Sequence, residues 1–143
     1  MKGVNKMFQN PTNKEISHLL EKAQTIAVIG LSPNENRTSH QISKAMQEAG
    51  YKIIPVNPLV DEVLGEKSYN SISEISEHVD IVNVFRRSEF LNDIAKEMVQ
   101  TDIPVIWTQQ GVYDESVAQQ LKEHDKTVIM DLCIKVTHAV LIK

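Results

Sequence analysis

Short apolar runs alternate along the chain with stretches whose apolar residues recur at helical spacing. Thr25-Ile-Ala-Val-Ile-Gly30 is the first run and reads as a strand covered on both faces. Tyr51-Lys-Ile-Ile-Pro-Val56, Asp80-Ile-Val-Asn-Val-Phe85, Pro104-Val-Ile-Trp107 and Thr127-Val-Ile-Met130 read the same way. Between them, Ile42, Ala45, Met46 and Ala49 fall at i, i+3, i+4, i+7, with Gly50 as the stop. Leu91, Ile94, Ala95 and Met98 repeat that spacing behind Ser88, a candidate N-cap. Val117, Ala118 and Leu121 make a shorter stripe behind Asp114. Ahead of the first strand, Thr12-Asn13-Lys14-Glu15 is a capping-box pattern. It predicts a helix from about Asn13 to Lys22 that presents Ile16, Leu19 and Leu20. Ser71 with Glu74 offers a second box, for a short helix before the third strand.

Continuously apolar strands separated by helices predict an α/β fold. The expectation is a doubly wound, Rossmann-like parallel sheet of about five strands, with helices on both faces. Right-handed crossovers restrict the winding, and the strand order taken from the fold class is 3-2-1-4-5. No repeat, low-complexity segment or Pro/Gly/Ser-rich linker divides the sequence. Residues 1–143 are therefore expected to form a single domain, with residues 1–24 as an N-terminal extension carrying the first helix.

Composition narrows the class of function. At 143 residues, 41% hydrophobic and 24% charged, the chain is of ordinary globular make-up and needs no disulfide or metal staple. A lone cysteine, Cys133, excludes an internal disulfide framework and suits a reducing cytosol. The balance of 15 Lys+Arg against 19 Asp+Glu gives a net charge of −4, the wrong sign for wrapping nucleic acid. The longest apolar stretch, Ile26 to Leu31, is far below the ~20 residues that cross a bilayer. Met1 to Asn10 lacks the apolar region of a secretory signal, and Lys2 stands where a myristoylation signal needs glycine. The expected address is cytoplasmic, with neither a nucleic acid nor a membrane as partner.

In a doubly wound sheet, ligands bind beyond the carboxyl ends of the strands. After the first strand comes Gly30-Leu-Ser-Pro-Asn-Glu-Asn-Arg-Thr-Ser39. Here Gly30 permits a sharp turn and a helix starting near Thr38 supplies free N–H groups. Ser32, Thr38 and Ser39 add hydroxyls. The three arginines of the chain, Arg37, Arg86 and Arg87, all fall just after the first and third strands. Guanidinium groups suit phosphate, so this placement on an acidic protein points to a phosphorylated ligand, with solvated surface as the alternative. NAD fits poorly. The G-x-G-x-x-G fingerprint is reduced to Gly30, and the second strand ends in Val56-Asn57-Pro58 where a ribose-binding acid belongs.

At these residues the chain resembles the small stand-alone CoA-binding proteins, similar in fold to the CoA-binding domain of the succinyl-CoA synthetase α subunit. The resemblance rests on the ordered succession of Ile26-Ala-Val-Ile-Gly-Leu-Ser32, Arg37-Thr-Ser39, Gly50-Tyr-Lys-Ile-Ile-Pro-Val-Asn-Pro58, Val79-Asp-Ile-Val-Asn-Val-Phe-Arg86, Trp107-Thr-Gln-Gln-Gly111 and Met130-Asp-Leu-Cys133. It implies a small-molecule ligand, coenzyme A or an acyl-CoA. Gly30, Ser32, Arg37, Thr38 and Ser39 would hold the pyrophosphate. Val56, Asn57 and Pro58 would border the adenosine, with Phe85 and Arg86 nearby. Gln109 and Gly111 would lie toward the pantetheine arm. Many relatives carry a lysine after the Asn-Pro pair, where a 3′-phosphate is met, but here the residue is Leu59, followed by Asp61 and Glu62. Arg86, Arg87 and Lys67 are the candidate substitutes.

Other reactive side chains have plainer readings. Cys133 is read as buried packing, against a reactive thiol paired with His138. Asp131 is read as a turn cap, against a ligand-orienting group or base. Trp107 is read as core rather than a stacking platform. His18, His40, His78, His124 and His138 show no metal-ligand spacing, and no metal is assigned. No nucleophile with its base, and no acid–base pair, is assembled by the sequence, so no catalytic residue is assigned. Binding without catalysis is the leading reading. A small enzyme or thiol-redox protein acting on CoA is the alternative, and a nucleotide-switched interaction module is the second; protein partners are left open.

Overall fold

The computed structural model describes residues 7–142. The reading of residues 1–6 as free of a signal or lipidation motif lies outside the described residues. In chain order the elements are α1 (Asn13–Lys22), β1 (Thr25–Ile29), α2 (Thr38–Glu48), β2 (Lys52–Val56), β3 (Glu62–Val63), β4 (Glu66–Lys67), β5 (Ile81–Val84), α3 (Leu91–Met98), β6 (Val105–Thr108), α4 (Glu115–Glu123), β7 (Thr127–Ile129) and α5 (Ile134–Leu141). Single 3-10 turns at Ile72–Glu74 and Ser88–Phe90 precede β5 and α3.

β1, β2, β5, β6 and β7 form a parallel sheet in the order β2-β1-β5-β6-β7. Helices cover both faces, which is why β5 and β6 are buried at every position. Ile16 and Leu20 of α1, Ile42 and Met46 of α2 and Ile134 of α5 pack on one face, against Ile26, Val28, Ile81 and Trp107. Leu91, Ile94 and Met98 of α3 and Val117 and Leu121 of α4 pack on the other, against Ala27, Val82, Ile106 and Val128.

The fold class is the one expected, but the strand order needs correcting. Counted along the five main strands it is 2-1-3-4-5, not 3-2-1-4-5. Pro55 explains why the second strand cannot be internal, since it has no N–H to give a neighbour and belongs on an edge. Its carbonyl points away from β1 and accepts from Tyr69 N at 3.0 Å, while Tyr69 O accepts from Asn57 N at 2.9 Å. The segment after the short β3–β4 ladder thus covers the place where a third strand would sit. The third main strand is drawn to the opposite side of β1 instead. There the Asp80 carboxylate accepts from Gln24 N at 2.8 Å and Thr25 N at 3.0 Å, and Asp80 N donates to Thr25 O. The winding therefore reverses between β1 and β5, and the ligand crevice belongs above that pair.

Local signals held at several ends. Thr12 and Glu15 form the capping box of α1, Asp114 caps α4 through Val117 N, and Gly50 follows α2 at φ +110°. Two others differ. Ser71 gives no side-chain cap to its 3-10 turn; its hydroxyl pairs with Ser73 instead, at 3.0 Å. Ser88 does not cap α3 either. Its oxygen accepts from Tyr113 N at 2.9 Å, tying the loop after β5 to the loop after β6.

Candidate functional site

Gly30 ends β1 at φ +86°, and a Cβ there would lie 2.5 Å from Phe85 O. Only glycine lets the chain leaving β1 pass this close to the chain leaving β5, so the crevice floor is open backbone. The loop beyond folds back on the start of α2. Ser32 N donates to Ser39 Oγ at 3.0 Å, and the His40 ring donates from Nδ1 to Ser32 O at 2.9 Å. Arg37 occupies the N-cap of α2 without a side-chain cap bond, which leaves the first amides of the helix to an outside acceptor. Its side chain is exposed and makes no ion pair among the described residues.

These residues open onto a cleft of about 1290 Å³. It gathers Gly30, Ser32, Arg37, Thr38, Ser39, Phe85, Arg86, Gln109 and Gly111 from the expected set. Val56, Asn57 and Pro58 line a second cleft of about 460 Å³, and Gly30 and Arg86 belong to both. All twelve expected residues therefore sit on one continuous rim, divided by Arg86. Its guanidinium lies 4.1 Å over the Phe90 ring, which fixes it at the junction.

Charge distinguishes the larger cleft. Arg37, Arg86 and Arg87 all line it, and no Asp or Glu does. On a chain with a net charge of −4, this is a local reversal of sign, and the low-lying uncapped helix start adds to it.

Several residues on the rim work by holding others. The Asn57 side chain donates to Leu31 O and accepts from Leu59 N, both at 2.9 Å, so it locks the end of β2 to the loop after β1. Gln109 is buried, donates to Asn83 Oδ1 at 2.6 Å and accepts from Ile134 N, which joins β5, β6 and the first turn of α5. Asp131 is a cap of the kind expected: its carboxylate accepts from Gly111 N at 2.6 Å and its own N–H donates to Thr108 Oγ1. Trp107 is core, with its indole N–H donating to Leu132 O.

Cys133 requires a correction. It is half-buried rather than buried, stands at the N-cap of α5 and lines the larger cleft. Its place was hidden because α5 itself was hidden: Ile134-Lys-Val-Thr-His-Ala-Val-Leu141 is rich in β-branched residues, and its periodicity gives no clear helical stripe. Asn36, Ser88 and Val112 also line the larger cleft without having been assigned to it, and of these Ser88 reads from sequence as an N-cap.

Comparison with known proteins gives a consistent answer. The CoA binding domain family matches residues 24–139. The Bacillus subtilis protein YneT is 58% identical over 133 residues, covering 93% of this chain and 98% of its own length. The ADP-forming acetate–CoA ligase of Methanocaldococcus jannaschii is 33% identical over 58 residues, 41% of this chain but 8% of the ligase. This chain therefore spans a small part of such ligases. Among solved structures, cell-free ID.343 from Thermus thermophilus superposes with a TM-score of 0.89 at 32% identity, covering 92% of this chain and all of its own.

Proposed function

This chain belongs to the CoA binding domain family, and from that membership we propose that it binds coenzyme A or an acyl-CoA along the rim described above. One observation carries the reading: the three arginines of an acidic chain converge on a cleft that contains no carboxylate. The pyrophosphate sits against Gly30, Ser32 and the first turn of α2, where Thr38 and Ser39 amides and the Arg37 guanidinium meet it. The adenosine lies in the smaller cleft beside Val56, Asn57 and Pro58, with Phe85 and Arg86 at its entrance. The pantetheine arm runs the other way, past Gln109, Gly111 and Cys133. Gln109 contributes by fixing that wall, because both ends of its amide are already bonded within the protein. A cytoplasmic setting, where CoA and a reduced cysteine coexist, suits this role.

Isothermal titration checks it. CoA should bind saturably and NAD should not compete; no heat with CoA at about millimolar concentration, an affinity near the weakest useful limit, overturns the reading.

A second reading has the position of Cys133 in its favour. Its thiolate could attack the disulfide of oxidised CoA, forming a protein–CoA mixed disulfide and releasing one CoA thiolate. Intact mass after incubation with CoA disulfide decides this: an adduct on Cys133 supports it and an unmodified protein dismisses it.

A further inference from the structure

We propose that the adenosine arm of this site has no socket for a 3′-phosphate, so that the protein takes dephospho-CoA nearly as well as CoA. The inference rests on the CoA reading above and narrows it to ligands recognised by their pyrophosphate and pantetheine parts. In a sheet of this kind the ribose lies at the end of the second strand. That end is followed by Leu59, which is 88% exposed on the wall of the smaller cleft and offers a phosphate nothing. Arg86 and Glu97 are the charged residues lining this cleft. Arg86 is shared with the larger cleft and stacked on Phe90, so it faces the pyrophosphate as much as the ribose. Glu97 is a fixed negative charge, its Oε2 accepting from Ser73 Oγ at 2.9 Å and Ser73 N at 3.4 Å. Lys67, the next lysine after Leu59 along the chain, holds its ammonium 5.1 Å over the Tyr69 ring and is not part of the wall. A 3′-phosphate would bring up to two negative charges to a pocket whose own charges sum to zero. The larger cleft, with three arginines and no carboxylate, is the contrasting case.

The test is a pair of titrations, CoA and dephospho-CoA, on the full chain and on Leu59→Lys. In the unaltered protein the two dissociation constants should agree within about threefold, the range of a surface ion pair. Leu59→Lys should tighten CoA by about two- to fivefold at low salt relative to dephospho-CoA. Binding of CoA with dephospho-CoA more than about tenfold weaker would overturn this inference and leave the CoA reading standing. A Leu59→Lys protein with no gain for CoA would also overturn it, by showing that the phosphate is elsewhere. Failure of both ligands to bind would remove the CoA reading, and this inference with it.

Discussion

At the scale of single residues, the proposed site rests on one glycine and one arginine in different ways. Gly30 carries a left-handed φ of +86° and has no room for a methyl group against Phe85 O. Gly30→Ala should lower stability by about 1–3 kcal/mol, read as a shift of the urea midpoint, because β1 and β5 must part to admit it. Arg37 is exposed and makes no ion pair among the described residues. Arg37→Ala should weaken CoA binding by roughly 1–3 kcal/mol while leaving the melting temperature of the unliganded protein in place. An unchanged affinity would take Arg37 out of the site. Both residues were legible in the sequence, one as a turn requirement and the other as a scarce cation. Gln109 and Asn57 were legible as members of the rim but not in their roles. Nothing in a sequence shows that a buried amide is already spent on Asn83 and Ile134, or that another is tied to Leu31.

At the scale of elements, patterns of spacing gave more than patterns of order. The five main strands and the first four helices follow from apolar periodicity, and the Thr12 capping box set the start of α1. Thr12→Ala should cost about 1 kcal/mol, measured by thermal or urea unfolding. The strand order departs from the one the fold class suggests because Pro55, a local sign of an edge, keeps β2 outermost in the main sheet. Asp80 supplies the other half of that topology. Its burial pulls the carboxyl pKa upward, but the Gln24 and Thr25 amides and the His78 ring outweigh this and hold it below its ordinary value of 3.8. A carboxyl depressed in the folded state stabilises fully above its unfolded pKa, and that contribution fades as pH falls through the folded one. Asp80→Asn should therefore be destabilised near neutral pH, with the gap to the unaltered protein closing below about pH 3.8. A gap independent of pH would separate Asp80 from the acid response. α5 escaped notice because its residues are better strand formers than helix formers, and packing on the sheet overrides them.

At the scale of the whole molecule, the proposed function rests on a charge pattern that no one segment displays. The reversal of winding between β1 and β5 brings Arg37, Arg86 and Arg87 around one opening whose lining holds no carboxylate. Composition alone pointed away from nucleic acid, and positions after strands pointed toward phosphate. The assembled sheet brings the three arginines to the lining of one cleft. Among the described residues, no helix is long and apolar enough to cross a membrane. Binding to the folded state alone must also raise stability: CoA at about a hundred times its dissociation constant should add roughly 2.7 kcal/mol, visible as a rise in melting temperature.

The most direct measurement is a crystal structure of the protein with CoA. The diphosphate should lie within hydrogen-bonding reach of the Thr38 and Ser39 amides, with the Arg37 guanidinium on its outer oxygens and the adenosine beside Asn57 and Pro58. A diphosphate bound away from the α2 start, with that rim left to solvent, would contradict it.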